Sequence, residues 1–256
     1  MDASMPFSLE GKIAVITGSS RGIGRATAET MARLGAKVVV SSRTAEACEP
    51  VAKAIRAEGG EAAVVACNIS RKGEVEGLIA STEKLYGAPD ILVCNAAVNP
   101  VYGPLAELSD EAFDKIMGSN VKSNLWLCNR VIPAMKQKGG GAIVIVSSIA
   151  GIQGNSVIGG YGISKAADFA LARNLAVEHG PDNVRVNCIA PGLVKTDFAR
   201  ALWEDEDNLN QRTGTTPLRR IGLPEEIGPV AAFLASAAAS FITGQVIVAD
   251  GGVTIA

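Results

Sequence analysis

Apolar residues fall along this chain in two alternating rhythms. Short β-branched runs, K-I-A-V-I-T, K-V-V-V-S, A-A-V-V-A, D-I-L-V-C, A-I-V-I-V-S, V-R-V-N-C-I and Q-V-I-V-A, are separated by longer stretches with helical apolar spacing at 22–34, 45–58, 74–86, 110–138, 161–179 and 224–235. The short runs lack the polar alternation of a half-exposed strand, so each reads as a strand covered on both faces. Strand, helix, strand in regular succession predicts an α/β fold: a doubly wound, seven-stranded parallel sheet with helices on both faces, in a single domain over 1–256. Only 193–222 breaks the rhythm. Its amphipathic, charged stretch T-D-F-A-R-A-L-W-E-D-E-D-N-L-N-Q-R is expected to form a substrate lid.

Composition narrows the class without naming a chemistry. With 256 residues, 48% hydrophobic positions and a net charge of -2, the chain has ample apolar surface and no basic excess for nucleic acid or an anionic membrane. The opening M-D-A-S-M-P-F-S-L-E has no apolar core, no run approaches the roughly 18 apolar residues of a membrane span, and the final V-T-I-A is not an S-K-L address. A cytoplasmic protein is expected. Five scattered cysteines suit reduced, mostly core thiols, and the lone His179, before Gly180 and Pro181, suits a helix end. A histidine triad or multi-histidine metal site is disfavoured, so no metal is expected.

Chemistry first appears at T-G-S-S-R-G-I-G, 17–24, between the first strand and a helix. Gly18, Gly22 and Gly24 permit a tight turn and close approach of a pyrophosphate to the helix N-terminus, as in a Rossmann-like dinucleotide site. The second strand ends in Ser42 where a carboxylate would take both ribose hydroxyls of NAD, and Arg43 follows. With Arg21 in the loop, two guanidiniums and a hydroxyl can hold a 2'-phosphate. The expected cofactor is NADP(H), preferred over NAD(H).

In G-G-Y-G-I-S-K-A-A-D-F-A, Tyr161 and Lys165 share one helix face at i and i+4. Chance produces such a pair in about one chain in eight, so the pair alone decides little. Ser148 in V-S-S-I-A-G adds weight: it ends the fifth strand, at the sheet edge where the glycine loop opens. An ammonium one turn away, joined by an oxidised nicotinamide, is expected to depress the Tyr161 phenol.

These motifs, with C-N-A-A at 94–97, G-S-N-V, R-V-N-C-I-A-P-G-L-V-K-T at 185–196 and I-T-G-Q-V-I-V-A-D-G-G at 242–252, resemble the short-chain dehydrogenase/reductase family over about 9–253. The resemblance implies Ser148, Tyr161, Lys165 and Asn120 as catalytic residues. Tyr161 would be the acid in reduction and base in oxidation, Ser148 the donor to the substrate oxygen, and Lys165 a holder of the nicotinamide ribose. Asn120 would keep a water linking Lys165 to solvent. Cofactor contacts carry over to Ser20, Ile23, Ile69, Asn95 and Ala96, and to Pro191, Gly192, Val194 and Thr196 near the carboxamide. Two departures stand out: Ala97 replaces a family glycine, implying a tighter fit by the nicotinamide, and Asn68 replaces an aspartate beside the adenine.

V-V-V-S-S-R, N-A-A-V-N-P and A-P-G-L-V-K-T look most similar to the NADPH-dependent carbonyl reductase branch. A small, largely apolar ketone or alcohol is the expected partner, in a pocket from 149–160, 98–102, Phe198 and Trp203. The resemblance implies a homotetramer or homodimer. A 3-oxoacyl thioester reductase is the alternative, disfavoured by the acidic E-D-E-D of the lid. A catalytically silent cofactor sensor is the alternative of another class, disfavoured by the intact triad.

Overall fold

The computed structural model describes residues 6–256; the first five, read above as lacking a leader, lie outside the described residues. The strands are β1 Ile13–Thr17, β2 Lys37–Ser41, β3 Glu61–Val64, β4 Ile91–Cys94, β5 Gly141–Val146, β6 Val184–Pro191 and β7 Val246–Ala249. They form one parallel sheet in the order β3-β2-β1-β4-β5-β6-β7. Chain order reverses between β1 and β4, and ligands of such sheets bind outside the carboxyl ends of the strands at that switch.

Successive strand residues divide between two cores because side chains alternate across the sheet. Ala14 and Ile16 of β1, Val38 and Val40 of β2, and Ile91 and Val93 of β4 face one layer. That layer is α1 Gly22–Arg33, α2 Ala45–Ala57 and α8 Pro224–Ala235. Val15, Val39 and Leu92 face the other, made of α3 Lys72–Leu85, α5 Ser123–Gln137 and α6 Gly159–His179. Each fully buried aliphatic side chain contributes about 1.5–3 kcal/mol, so two such layers hold the sheet without covalent staples. All five cysteines are buried and unpaired. No helix among the described residues is long and apolar enough to cross a membrane, and these residues hold no cluster of metal-ligating side chains. His179 is the last residue of α6, at the end its position in the sequence predicted.

Two differences from the sequence pattern matter for the site. The helix expected over 110–138 is interrupted: α4 Asp110–Met117 passes through a wide π turn, Gly118–Lys122, into α5. Asn120, at the centre of that turn, has its side chain bound outside the helix and its carbonyl held by the Asn124 amide at 2.6 Å. Residues 193–222 form a 3-10 turn, Asp197–Leu202, and α7 Glu206–Thr215. Paired backbone hydrogen bonds, Lys195 to Gly222 and Gly222 to Leu193, both at 2.9 Å, close the base of this insert. Beyond it Glu226 takes the Arg220 guanidinium at 2.7 Å on each oxygen and the Leu223 N–H at 2.8 Å. Arg220, then that backbone donor, holds the Glu226 carboxyl down at about 2.

Candidate active site

The glycine loop leaves β1 at the switch point and is clasped from two sides. Gly18 and Gly22 both have positive φ, 64° and 55°. A Cβ on Gly18 would lie 2.9 Å from Asn95 Nδ2 and Ala96 Cα, in the loop after β4. One on Gly22 would lie 3.2 Å from Thr196 Cγ2, in the loop after β6. The Asn95 amide donates to Thr17 O and Gly18 O at 3.0 Å, and the Asn95 and Ala96 N–H groups donate to Thr17 Oγ1 at 3.1 and 3.2 Å. Asn95 thus serves the shape of the loop. The first turn of α1 has no acidic residue and no side-chain cap, which leaves its N–H groups for an anion. Ser20 and Ile23 flank Gly22 in the same turn, and Gly24 is buried beneath it.

The groups expected around the adenosine ribose follow β2 and β3. Ser42 is partly buried; its hydroxyl donates to Thr44 O at 3.2 Å and accepts from Cys48 Sγ at 3.1 Å. Arg43 is exposed, and Arg21 meets Asp197 of the insert at 3.4 Å in a pair exposed on both sides. Such a pair is worth little and yields readily to a phosphate. The Asn68 side chain accepts the Ser70 N–H at 3.1 Å, while Ile69 is buried. Pro191 ends β6, Gly192 packs against Asp250, and the Thr196 hydroxyl caps the 3-10 turn of the insert through Ala199 N. These residues fit a dinucleotide: a cradle that a Cβ would fill, an uncapped helix start and cationic groups at the same sheet edge.

The proposed catalytic residues converge at the ends of β5 and α6. Ser148 caps a short turn after β5, its hydroxyl accepting the Ala150 N–H at 3.1 Å, and it opposes the upward shift of the Tyr161 phenol in the first turn of α6. Lys165 Nζ lies 5.6 Å from the Tyr161 ring centre and is 2% exposed. It donates to Val146 O and Asp168 Oδ2, both at 3.0 Å, leaving the third of its hydrogens free. Asn120 is fully buried: its oxygen accepts Val98 N–H at 2.8 Å and its amide donates to Val98 O at 2.9 Å and Ser164 Oγ at 3.0 Å.

Asp168 and Asn124 were not picked out in the sequence. Asn124 Nδ2 donates both to Asn120 O and, at 3.0 Å, to Asp168 Oδ1, so an unbroken chain runs from Asn120 through Asn124 and Asp168 to Lys165. The Lys165–Asp168 spacing of i, i+3 is the signal that could have revealed it. Burial pushes the Tyr161 phenol up, Lys165 pulls it back, Asp168 adds to the rise, and Ser148 opposes it; the result lies above the ordinary phenol value. The depressed phenol expected from Lys165 is therefore not found in the cofactor-free protein, first because burial disfavours the phenolate and then because a carboxylate sits beside the ammonium. Burial alone would lower Lys165, but Asp168 and Tyr161 together outweigh it and hold the ammonium above its ordinary value.

Phe198 of the insert stands 5.9 Å from the Tyr161 ring, centre to centre, and closes one side of the reaction space. Trp203 is turned toward its own loop, donating to Thr196 O at 3.0 Å. Behind Tyr161 a small cleft is lined by Asn99, Val101, Leu105, Leu108 and Ile158. Asn155, within the 149–160 stretch expected to line the pocket, spends its oxygen on the Val157 and Ile158 N–H groups.

A parallel seven-stranded sheet with a serine, tyrosine and lysine grouped at its carboxyl edge defines the class, and relatives identify it. The family described as "Enoyl-(Acyl carrier protein) reductase" matches residues 18–254. "Dehydrogenase/reductase SDR family member 4" from Oryctolagus cuniculus is 43% identical over 247 residues, 95% of this chain and 94% of that one. A gluconate 5-dehydrogenase from Burkholderia cenocepacia, solved with NADP and tartrate, superposes with a TM-score of 0.94 at 31% identity, over 98% of both chains. A 7α-hydroxysteroid dehydrogenase, solved with NADH and 7-oxo glycochenodeoxycholic acid, superposes with a TM-score of 0.93 at 37% identity, again over 98% of both. The chain belongs to the short-chain dehydrogenase/reductase family. It is an oxidoreductase acting on CH–OH groups and uses a nicotinamide cofactor.

Proposed function

We propose that the protein is an NADP(H)-dependent carbonyl reductase that interconverts an apolar ketone or aldehyde with its alcohol. The observation that carries this reading is the convergence of Ser148, Tyr161 and Lys165 at the carboxyl edge of the sheet, beside the glycine cradle. Bound there, the nicotinamide supplies or accepts the hydride. Tyr161 gives its phenolic proton to the carbonyl oxygen in reduction and takes one from the alcohol in oxidation. Ser148 donates a hydrogen bond to the same oxygen, where negative charge grows. The remaining hydrogen of Lys165 is available to a ribose hydroxyl.

The NADP preference rests on Ser42 in place of an acid, with Arg43 exposed and Arg21 held only by its exposed 3.4 Å pair with Asp197, which a phosphate can displace. In the Arg43→Ala variant the apparent KM for NADPH should rise about tenfold or more, the loss of a charge-assisted contact, while that for NADH changes little. Steady-state kinetics with both cofactors decide it; equal effects on the two would remove the preference.

The apolar wall of Val101, Leu105, Leu108 and Phe198 supports a hydrophobic substrate. A panel of ketones and dicarbonyls, run with NADPH beside 3-oxoacyl carrier-protein thioesters, should give turnover on the former. Turnover confined to the thioesters would replace this reading with the acyl reductase. Residues 193–222 act as the lid. Exposed Phe241, Val248 and Ile255 by the β7 edge support assembly into a homotetramer or homodimer.

A further inference from the structure

Beneath the reacting groups lies a buried ion pair. Lys165 and Asp168 meet at 3.0 Å with side chains 2% and 0% exposed. Asp168 accepts from the Lys165 ammonium on one oxygen and from the Asn124 amide on the other. Burial pushes the Asp168 carboxyl up, and the Lys165 ammonium, with the hydrogen bonds from Lys165 and Asn124, opposes that rise; a buried carboxylate keeps its charge only through such matching. Oxidoreduction at Tyr161 needs the lysine, not the aspartate. The pair therefore calls for an account beyond the triad.

Distance gives one. The ammonium is 5.6 Å from the Tyr161 ring, and the carboxylate that neutralises it is one helical turn further along α6. A lone buried cation at that range strongly favours a phenolate, whereas a compensated pair acts on the phenol mainly as a dipole. The surrounding titratable groups do not replace the missing charge. They are the buried thiols Cys94 of β4, Cys128 of α5 and Cys188 of β6, with Tyr102 from the loop after β4 and Arg173 further along α6. Burial keeps Cys188 protonated, and its partner Cys128 and burial do the same for Cys94.

We propose that Asp168 is a positioning residue: by pairing with Lys165 it adds to what burial already does and helps keep the Tyr161 phenol protonated, so that the site is set to protonate a carbonyl oxygen rather than deprotonate an alcohol. Asn124 aims the carboxylate and ties it, through the Asn120 carbonyl, to the π turn. Bound oxidised nicotinamide adds a positive charge and works against this bias, so the effect bears most on reduction. The inference rests on Tyr161 being the acid and base of the reaction.

Asp168→Asn tests it with little change of shape. Removing the carboxylate leaves Tyr161 as the sole countercharge for Lys165. The ratio of alcohol oxidation at about pH 6 to that at about pH 10 should rise about tenfold over the native enzyme. Asp168→Glu, which keeps the charge, should return the ratio toward the native value. A folded Asp168→Asn enzyme with native NADPH affinity and an unchanged ratio overturns the proposal. Should Asp168→Asn fail to fold, ultraviolet difference titration of the native protein against Tyr161→Phe reads the same phenol without turnover. No phenolate difference is expected at neutral pH in the cofactor-free protein, and its presence would overturn the proposal. Full turnover by Tyr161→Phe would instead strike at the acid–base reading, a failure the titration keeps distinct.

Discussion

Replacing Tyr161 by phenylalanine should lower kcat by about a thousand-fold while the Kd for NADPH stays within about twofold of native. The substitution removes one oxygen and nothing else. The ring keeps its contact with Phe198, and the Lys165–Asp168 pair has no hydrogen bond to the phenol to lose. Cofactor fluorescence titration beside steady-state reduction separates binding from chemistry. If Tyr161→Phe kept full activity, the proton would have to come from elsewhere, and the hydrogen bond that the Ser148 hydroxyl accepts from the Ala150 N–H offers no acid.

Lys165→Ala should be costlier, since it damages three things at once. Turnover falls with the loss of the charge that supports Tyr161, and cofactor affinity falls with the loss of the free N–H. Stability falls by about 3–5 kcal/mol, because Asp168 is left as an uncompensated buried charge. Thermal unfolding should register that drop even without cofactor. The double variant Lys165→Met with Asp168→Leu should regain the stability, since well-packed apolar residues can replace a buried ion pair, but not the turnover. A double variant as unstable as Lys165→Ala would mean that packing rather than charge explains the loss.

Much of the frame was legible because a parallel strand has a plain signature. I-A-V-I-T and I-L-V-C are apolar without alternation since both their faces are covered, and their parallel order follows from the helices between them. The cradle was equally plain, as Gly18 and Gly22 take backbone conformations that other residues resist. What stayed hidden depends on side chains meeting across the fold. Asn124 and Asp168 are 44 positions apart and look like ordinary polar residues on two helices; only the crossing of α5 and α6 joins them. The phenol's upward displacement went unseen for the same reason. A tyrosine and lysine in sequence suggest a stabilised phenolate until the burial of the ring, and then the neighbouring carboxylate, are known.

The π turn between α4 and α5 carries a consequence for how this chain can change. One surplus residue in 118–122 sets the rotational phase of everything downstream in that helix, and each residue of an α-helix advances the phase by about 100°. Deleting a single residue there would leave the apolar composition of α5 intact yet swing Asn124 off Asp168 and present Leu127 and Val131 at a new angle to the sheet. Insertions and deletions at this point are therefore read as errors of phase rather than of length, while substitutions that keep the count are read locally.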